Sequence, residues 1–161
     1  MPEITLVLHN IRSTYNVGAI FRTAEGFGIN EIICSGYTPY PKREADTRLP
    51  HLADKITAQI HKTALGAETM VPFEYYETFE MWRKAQPDLP LLALEQAENS
   101  TPLRDIAAPK KFALLLGEEV NGIAPELLKH ADNIIEIPMV GKKESFNVSV
   151  AAGIALYALM A

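Results

Sequence analysis

Short apolar runs rich in β-branched residues alternate with helical patterns along most of this 161-residue chain. The helical segments carry apolar residues three and four positions apart, as an amphipathic helix requires. Strands that are separated by helices usually pair in parallel, with the helices covering both faces of the sheet. The alternation therefore predicts an α/β fold built on a mainly parallel sheet.

Six strands are predicted, with helices between most of them. The strands lie at 4–8, 31–35, 71–75, 89–94, 112–116 and 134–137, and the helices at 16–27, 52–65, 78–85, from 125 onwards and over the C-terminal residues. The segment Tyr37–Pro50 holds three prolines and few apolar residues, which predicts a loop. A loop of this length in a compact domain usually has a function.

The composition bounds the number of domains and the kind of protein. Apolar residues make up 48% of the chain, enough for one core without disulfides or metals, so we expect a single domain over 1–161. No apolar run approaches the roughly 20 residues that span a bilayer, and the N terminus lacks a signal-peptide pattern, so a cytoplasmic location is expected. Cys34 lies in an apolar run and is interpreted as a buried hydrophobe. The four histidines lie far apart, and no metal site is expected.

The net charge of −5 at first argues against a nucleic-acid partner, because such proteins usually carry a basic surface. The excess of acidic residues is local, however. Residues 68–98 hold seven acids and two bases, and in the rest of the chain 13 acids balance 13 bases. The other bases form short groups, at Lys42–Arg43 with Arg48, at Lys110–Lys111 and at Lys142–Lys143. Any nucleic-acid surface would be built from these groups. Paired lysines are also common on an ordinary solvated surface, and Glu44 and Asp46 interleave with the first group.

The C-terminal segment joins a strand to a buried helix. After the sixth strand come Pro138, Gly141 and two lysines, and Ser145 with Asn147 then opens a helix that is apolar nearly all round. The unpaired N–H groups at the start of a helix favour an anionic or nucleotide-like ligand. Ligands bind at the carboxyl ends of parallel strands, so this segment, the polar residues after the first strand and the glycine-rich turn at 117–122 are expected to converge.

Three segments, in order along the chain, carry closely spaced polar and glycine positions. They are Asn10-x-Arg12-Ser13-x-x-Asn16-Val17-Gly18-Ala19-Ile20-Phe21-Arg22-Thr23-Ala24, then Leu116-Gly117-Glu118-Glu119-x-x-Gly122, and then Ile137-Pro138-Met139-x-Gly141 through Ser145-x-Asn147-Val148-Ser149-x-Ala151. Together they resemble the three motifs of the SpoU/TrmH family of SPOUT RNA ribose methyltransferases. The match is ordered and covers essentially the full chain.

The resemblance implies a fold, a reaction and partners. It implies that the C-terminal part of the α/β domain threads through a loop to form a deep trefoil knot, where S-adenosylmethionine binds, and that the active site of a homodimer uses both subunits. The implied reaction is transfer of a methyl group to a ribose 2′-hydroxyl of RNA. Because the motifs span nearly the whole chain, we expect no separate RNA-binding extension, as in the minimal members of the family. We expect tRNA to be the substrate, with ribosomal RNA as the alternative.

The resemblance also implies roles for individual residues. Catalytic roles fall to Asn16, Arg22, Glu119, Ser145 and Asn147. The residues that would bind the cofactor are Leu94, Glu95, Gly117, Ile137, Met139, Phe146 and Val148. The residues expected to contact RNA are Asn10, Arg12, Arg43, Arg48 and Lys142, with Tyr37 and Tyr40 available for stacking on bases.

From the residues alone, other interpretations stay open. Asn16 and Ser145 could each cap a helix, and Arg22 could be a solvated helix arginine. Ile137 and Phe146 could be core residues of any α/β fold. Only the spacing shared with the family gives these positions a role in binding or catalysis.

The chemistry fits these residue types. Methyl transfer from a sulfonium to a hydroxyl is an in-line displacement, which needs the reacting atoms held collinear and the hydroxyl proton removed. A guanidinium has a pKa above about 12 and resists deprotonation. We therefore expect Arg22 to clamp the target phosphate and stabilise the developing alkoxide rather than to act as the general base.

Two further expectations concern assembly and rival functions. The C-terminal helix has no continuous polar face, so we expect it to pack against a partner subunit. A non-catalytic RNA-binding module on the same fold is one rival function, and a nucleotide-dependent hydrolase is another. The hydrolase is disfavoured because the sequence contains neither a phosphate-binding loop nor a G-x-G-x-x-G fingerprint.

Overall fold

The computed structural model describes the whole chain, Met1–Ala161, and places one parallel sheet at its centre. The strands are β1 Glu3–His9, β2 Glu31–Ser35, β3 Phe73–Tyr76, β4 Leu91–Leu94, β5 Thr101–Pro102, β6 Lys111–Leu116 and β7 Asn133–Glu136. Their spatial order is β3-β2-β1-β6-β4-β7-β5, and every neighbouring pair is parallel.

Five α-helices connect the strands. They are α1 Thr14–Gly26, α2 Pro50–Ala64, α3 Phe79–Ala85, α4 Pro125–Leu128 and α5 Val148–Leu159, with short 3₁₀ turns at Ala67–Thr69 and Leu103–Asp105. None of the helices combines the length and apolar content needed to cross a membrane. The predicted α/β class is confirmed.

The sheet separates two apolar cores. Along β1, Ile4, Leu6 and Leu8 face the larger core and Val7 faces the smaller one, because successive side chains of a strand point to opposite faces. Helices α1, α2 and α5 pack on the larger core, whereas α3 and α4 close the smaller one, where Trp82 is almost fully buried. Helices therefore cover both faces, as predicted.

The sheet has seven strands, and the prediction of six was wrong. The additional strand, β5, is two residues long and pairs at the sheet edge with β7, Thr101 opposite Ile135. So short a strand has no alternation of apolar and polar residues that the sequence could reveal. Two strand starts also differ from their predicted positions, since β3 begins at Phe73 rather than at residue 71, and β4 at Leu91 rather than at residue 89.

Two helices begin with a different cap from the candidate that the sequence offered. The cap of α1 is Ser13, whose side chain accepts a hydrogen bond from the N–H of Asn16, so Asn16 lies inside the first turn. The cap of α5 is Asn147 rather than Ser145, and its side chain accepts from the N–H groups of Ser149 and Val150. In both cases several residues with good capping side chains lie close together, and their order alone does not select one.

Candidate active site

A cleft of about 300 Å³ opens at the carboxyl ends of β4, β6 and β7. This is the edge of a parallel sheet at which ligands usually bind. The cleft is lined by residues 94–96, 116–122, 136–137 and 144–146, together with Val148 and Ala151 of α5. Segments from the second and third motifs thus share one binding cavity.

The cleft combines an apolar wall with an acidic rim. Leu94, Ile137 and Phe146 contribute apolar surface. The acidic side chains are Glu95, Glu118, Glu119, Glu136 and Glu144, and no lysine, arginine or histidine lines the cleft. A ligand with a flat apolar group and a positive charge fits this lining best.

A tight loop after β6 forms one side of the cleft. The backbones of Glu118 and Gly122 exchange two hydrogen bonds of 2.9 and 3.2 Å. Gly122 has a φ of +67°, and a Cβ atom there would collide with the carboxylate of Glu95. That carboxylate accepts a 2.7 Å hydrogen bond from the N–H of Ile123 and a 2.8 Å bond from the N–H of Gln96. Glu95 therefore fixes the shape of the loop as well as lining the cleft.

Glu119 connects this loop to the start of α1. Its carboxylate accepts hydrogen bonds from the backbone N–H of Arg12, at 3.0 and 3.2 Å, and from that of Ser13, at 3.2 Å. The N–H groups at the start of a helix have no partner within the helix, so a carboxylate is a favourable one. The contact joins the second motif to the first.

Asn147 connects the third motif to the first. Its side-chain oxygen accepts bonds from the N–H groups of Ser149, at 2.9 Å, and of Val150, at 3.4 Å, and so caps α5. Its side-chain amide donates a 3.1 Å hydrogen bond to the side-chain oxygen of Asn16 in α1. The starts of α1 and α5 are held together by this pair of amides.

The remaining two predicted catalytic residues lie in different surroundings. Ser145 lines the cleft and is exposed. Arg22 is exposed on α1, forms no salt bridge within the chain and does not line the cleft. The single chain therefore brings four of the five predicted catalytic residues together around the cleft and the start of α1, and leaves Arg22 apart.

Most of the predicted cofactor residues lie in the cleft wall. The lining contains Leu94, Glu95, Gly117, Ile137, Phe146 and Val148. Met139 is the exception, since it is half-buried and lies outside the lining. It follows Pro138 in the segment that leaves the cleft after Ile137.

The predicted RNA contacts divide into exposed and internally bonded side chains. Arg12 and Lys142 are exposed, and Arg12 forms a 3.4 Å salt bridge with Glu118 at the mouth of the cleft. Asn10 has a φ of +56°, and its side-chain oxygen accepts a 3.0 Å hydrogen bond from the N–H of Tyr37. Asn10 therefore shapes the adjacent turn.

Within the loop after β2, Arg48 braces the structure. Its guanidinium donates to Asp46 at 2.7 and 3.0 Å and to the carbonyl groups of Tyr40 and Pro41 at 3.0 and 3.3 Å. Four of its five N–H groups are thereby occupied, which argues against the predicted phosphate contact. Tyr40 is not accessible to RNA either, because its ring is buried and stacked on that of Tyr75, with the ring centroids 4.2 Å apart. The guanidinium carbon of Arg43 lies 5.1 Å from the centroid of the Tyr40 ring. The Nε of Arg43 is buried and has no hydrogen-bond partner.

Several side chains of the site were given no individual role in the sequence analysis. Ser13 caps α1, and Glu118, Asn121 and Glu136 line the cleft. The positions of the last three, after β6 and at the end of β7, were the sequence signal that could have identified them.

Cys34 is buried as predicted, and burial raises the pKa of its thiol to about 12. No cluster of His, Cys, Asp or Glu side chains has an arrangement suited to a metal ion.

Comparison with known proteins identifies the family of this chain. The sequence profile of the SpoU rRNA Methylase family matches residues 3–157. The chain belongs to that family. A relative from Escherichia coli, a tRNA (guanosine(18)-2'-O)-methyltransferase, is 28% identical over 97% of this chain and 62% of its own length. A 23S rRNA (guanosine-2'-O-)-methyltransferase RlmB from Coxiella burnetii is 30% identical over 97% of this chain and 57% of its own. The chain thus spans about three fifths of these relatives.

Two solved structures share the fold of this chain. The AdoMet-bound rRNA methyltransferase from Sinorhizobium meliloti superposes with a TM-score of 0.80, at 26% identity, over 98% of this chain and 55% of its own. A structure that concerns 2-OH methylation of C/U34 on tRNA has a TM-score of 0.78 at 22% identity and is covered over 95% of its length. At 22% identity, the similarity to this second structure shows a shared fold and no more. The fold class is therefore that of the known methyltransferases.

Proposed function

We propose that this chain is an S-adenosylmethionine-dependent RNA methyltransferase that acts on a ribose 2′-hydroxyl. The observation that carries the proposal is that the second and third motifs line one cleft and that both hydrogen-bond to the first motif at the start of α1. Glu119 bonds to the start of α1, Asn147 bonds to Asn16, and Ser145 lines the cleft itself. The names of the E. coli and C. burnetii relatives, both 2'-O-methyltransferases, support the same reaction for this chain.

The cleft fits S-adenosylmethionine in size and charge. Its volume of about 300 Å³ lies at the lower end of the range for small-molecule sites. Leu94, Ile137 and Phe146 offer apolar surface to an adenine ring, and the acidic side chains suit a sulfonium cation. When bound, the cofactor supplies an electrophilic methyl group. The backbone around Gly117 would hold it without side-chain bulk.

The residues around the cleft take different roles. Ser145 presents a hydroxyl that can hydrogen-bond to an oxygen of the substrate. Glu119 is a positioning residue, because its carboxylate is occupied by two backbone N–H groups. Arg22 presents a guanidinium, whose donors suit a phosphate, so it clamps the target phosphate and stabilises the alkoxide that forms as the 2′-hydroxyl attacks.

A homodimer forms part of the proposal. Helix α5 exposes Val150, Ile154 and Tyr157, which lie four and three positions apart and form one apolar stripe. Burying such a stripe against a second copy is favourable at about 25 cal/mol per Å² of apolar surface. Because Arg22 lies outside the cleft of its own chain, we assign it to the cleft of the partner subunit.

The trefoil knot also belongs to the proposal. The segment after β7 and the loop after β6 meet at the cleft, which residues 116–122 and 144–146 both line. The segment after β7 then enters α5, which packs against α1 in the larger core. The family resemblance implies that this passage is a knotted one.

Transfer RNA is the proposed substrate, and ribosomal RNA is the second candidate. The E. coli relative, a tRNA methyltransferase, supports the first, and the C. burnetii relative, which modifies 23S rRNA, supports the second. Either substrate is consistent with the cytoplasmic location expected from the sequence.

The test is a transfer assay with radiolabelled S-adenosylmethionine. The protein is incubated with separate pools of tRNA and ribosomal RNA from cells that lack the modification. We expect label in the tRNA pool, whereas label in the ribosomal pool alone would select the second substrate. Binding of the cofactor and of RNA without any transfer would favour the non-catalytic RNA-binding module.

A further inference from the structure

Tyr37 is an aromatic side chain held at a fixed place beside the cleft. It follows Gly36, whose φ of +66° turns the chain sharply after β2. The N–H of Tyr37 donates a 3.0 Å hydrogen bond to the side chain of Asn10, and a Cβ atom at Gly36 would collide with that same amide. Two residues with positive φ, Asn10 and Gly36, are thus used to place Tyr37. The residue itself remains 51% exposed.

The surroundings of Tyr37 connect it to the cleft. Partial burial raises the pKa of its phenol, and the nearby Glu118 carboxylate adds to that rise. Glu118 lines the cleft and pairs with Arg12, whose side chain is 71% exposed. The backbone of Tyr37 is also bonded to Asn10, two residues before Arg12, so the exposed ring and the accessible guanidinium belong to adjoining segments at one side of the proposed cofactor site.

The second tyrosine at this end of the loop is not available to a ligand. Tyr40 is buried between Tyr75 and Arg48, whose guanidinium carbon lies 3.7 Å from the centre of the Tyr40 ring. Of the two tyrosines in this loop, only Tyr37 has an exposed ring that a ligand can reach.

We propose that Tyr37 is the residue on which a nucleobase of the RNA substrate stacks, next to the ribose that is methylated, with Arg12 contacting an adjacent phosphate. The inference rests on the proposed function and names the part of the RNA that this side of the cleft receives. Unstacked bases of RNA are commonly recognised by stacking on aromatic side chains, and arginine binds phosphate strongly. Every base has a π face, so the contact contributes affinity more than sequence preference.

The test compares Tyr37→Ala with Tyr37→Phe. Binding of a fluorescein-labelled, unmodified tRNA transcript is followed by fluorescence anisotropy at fixed salt, and thermal unfolding is recorded for each variant. We expect the alanine variant to bind about tenfold more weakly, in the range given by loss of one stacked base, and the phenylalanine variant to bind within about twofold of the original chain. Equal binding by the alanine variant overturns the proposal.

A second variant reports on stacking directly and does not depend on loss of stability. In Tyr37→Trp an indole replaces the phenol, while the native Trp82 is only 1% exposed and serves as an internal reference. Stacking of a base on the new indole quenches its fluorescence as the tRNA is added. An unchanged emission at saturating tRNA overturns the proposal.

Failure of the inference and failure of the proposed function give different results. Normal methyl transfer with no effect of Tyr37→Ala on tRNA binding removes the stacking contact alone. If Tyr37→Ala weakens tRNA binding but the original chain transfers no methyl group, the enzymatic function is rejected and the stacking contact stands. If the original chain binds neither tRNA nor ribosomal RNA in the presence of cofactor, the stacking proposal is overturned.

Discussion

The carboxylate of Glu119 accepts a 3.2 Å hydrogen bond from the backbone N–H of Ser13, the residue that caps α1. The two residues are 106 positions apart in the chain. The contact fixes the loop after β6 relative to the helix that carries Asn16 and Arg22. Together with the hydrogen bond between Asn147 and Asn16, this carboxylate sets the position of the proposed cofactor cleft relative to the start of α1.

Replacement of Glu119 should separate positioning from proton transfer. Glu119→Gln keeps one oxygen that can accept a backbone N–H, so we expect a single-turnover rate of methyl transfer within about tenfold of the original. Glu119→Ala leaves the N–H groups of Arg12 and Ser13 without this acceptor, and misplacement of the site should lower the rate by about 100-fold. If Glu119 removed the proton, the glutamine variant would be as inactive as the alanine one.

Arg22→Ala should abolish methyl transfer without changing cofactor affinity. Its proposed contacts are the target phosphate and the developing alkoxide rather than the cofactor, so titration calorimetry with S-adenosylmethionine should give the same Kd for both proteins. Loss of an electrostatic contact to the developing alkoxide costs a factor of about 100 to 1,000 in rate. Full activity of this variant would remove Arg22 from the mechanism.

Mixed dimers test whether Arg22 acts in the partner's cleft. A preparation of Arg22→Ala and Ser145→Ala chains, each inactive alone, forms about half mixed dimers by random assortment in a two-fold assembly. If Arg22 acts across the interface, one of the two clefts in each mixed dimer is intact. Activity should then return to about a quarter of the original. Equal inactivity of the mixture would place Arg22 and Ser145 in the same subunit's site.

Val150→Asp should dissociate the proposed dimer. Val150 is 51% exposed in the first turn of α5, where an acidic side chain is compatible with the helix dipole, so the folded chain should tolerate it. An unpaired charge in an apolar interface should raise the dimer Kd by at least about tenfold in sedimentation equilibrium. Met81→Asp is the matched control, since Met81 is equally exposed but lies on α3. A shift of similar size in both variants would argue against α5 as the interface.

Asp46→Asn tests how much the ion pair between Asp46 and Arg48 stabilises the loop after β2. The hydrogen bond from Arg48 holds the pKa of Asp46 well below its usual range. The stabilisation is therefore present above the unfolded-state pKa of about 3.9 and is lost as pH falls below it. Urea unfolding should show a loss of roughly 1–3 kcal/mol at pH 7 and a smaller difference at pH 3.

The control for this prediction is Asp54→Asn. Asp54 pairs with Lys42 on the surface, where its side chain is 63% exposed, and an exposed pair contributes less than about 1 kcal/mol. Equal effects of the two substitutions at pH 7 would contradict a special role for the Asp46–Arg48 pair.

The central strands and the location of the cleft could be predicted from the sequence. Strands such as β1 and β6 are continuous apolar runs, and their predicted bounds differ from those in the structure by one residue at most at each end. The glycine-rich turn at 117–122 and the segment around Ser145 follow strand ends, which a parallel sheet brings to one edge. Apolar pattern and chain order were sufficient for these features.

The contacts within the site could not be predicted, because they join residues far apart in the chain. The bonds of Glu119 to Ser13 and of Asn147 to Asn16 have no local sequence pattern. Tyr37 and Tyr40 show the same limit. The two side chains have the same chemistry and lie three positions apart, yet one is open at the cleft and the other is buried against Tyr75.

The most direct measurement of the central claim is the position of the transferred methyl group. RNA labelled from radioactive S-adenosylmethionine is hydrolysed in alkali, which cleaves only next to a free 2′-hydroxyl, and the products are separated by size. A ribose 2′-O-methyltransferase should place the label in an alkali-resistant dinucleotide, and the label should be absent with Arg22→Ala. Label in a mononucleotide, which indicates a methylated base, or no label despite bound cofactor and RNA, would contradict the account.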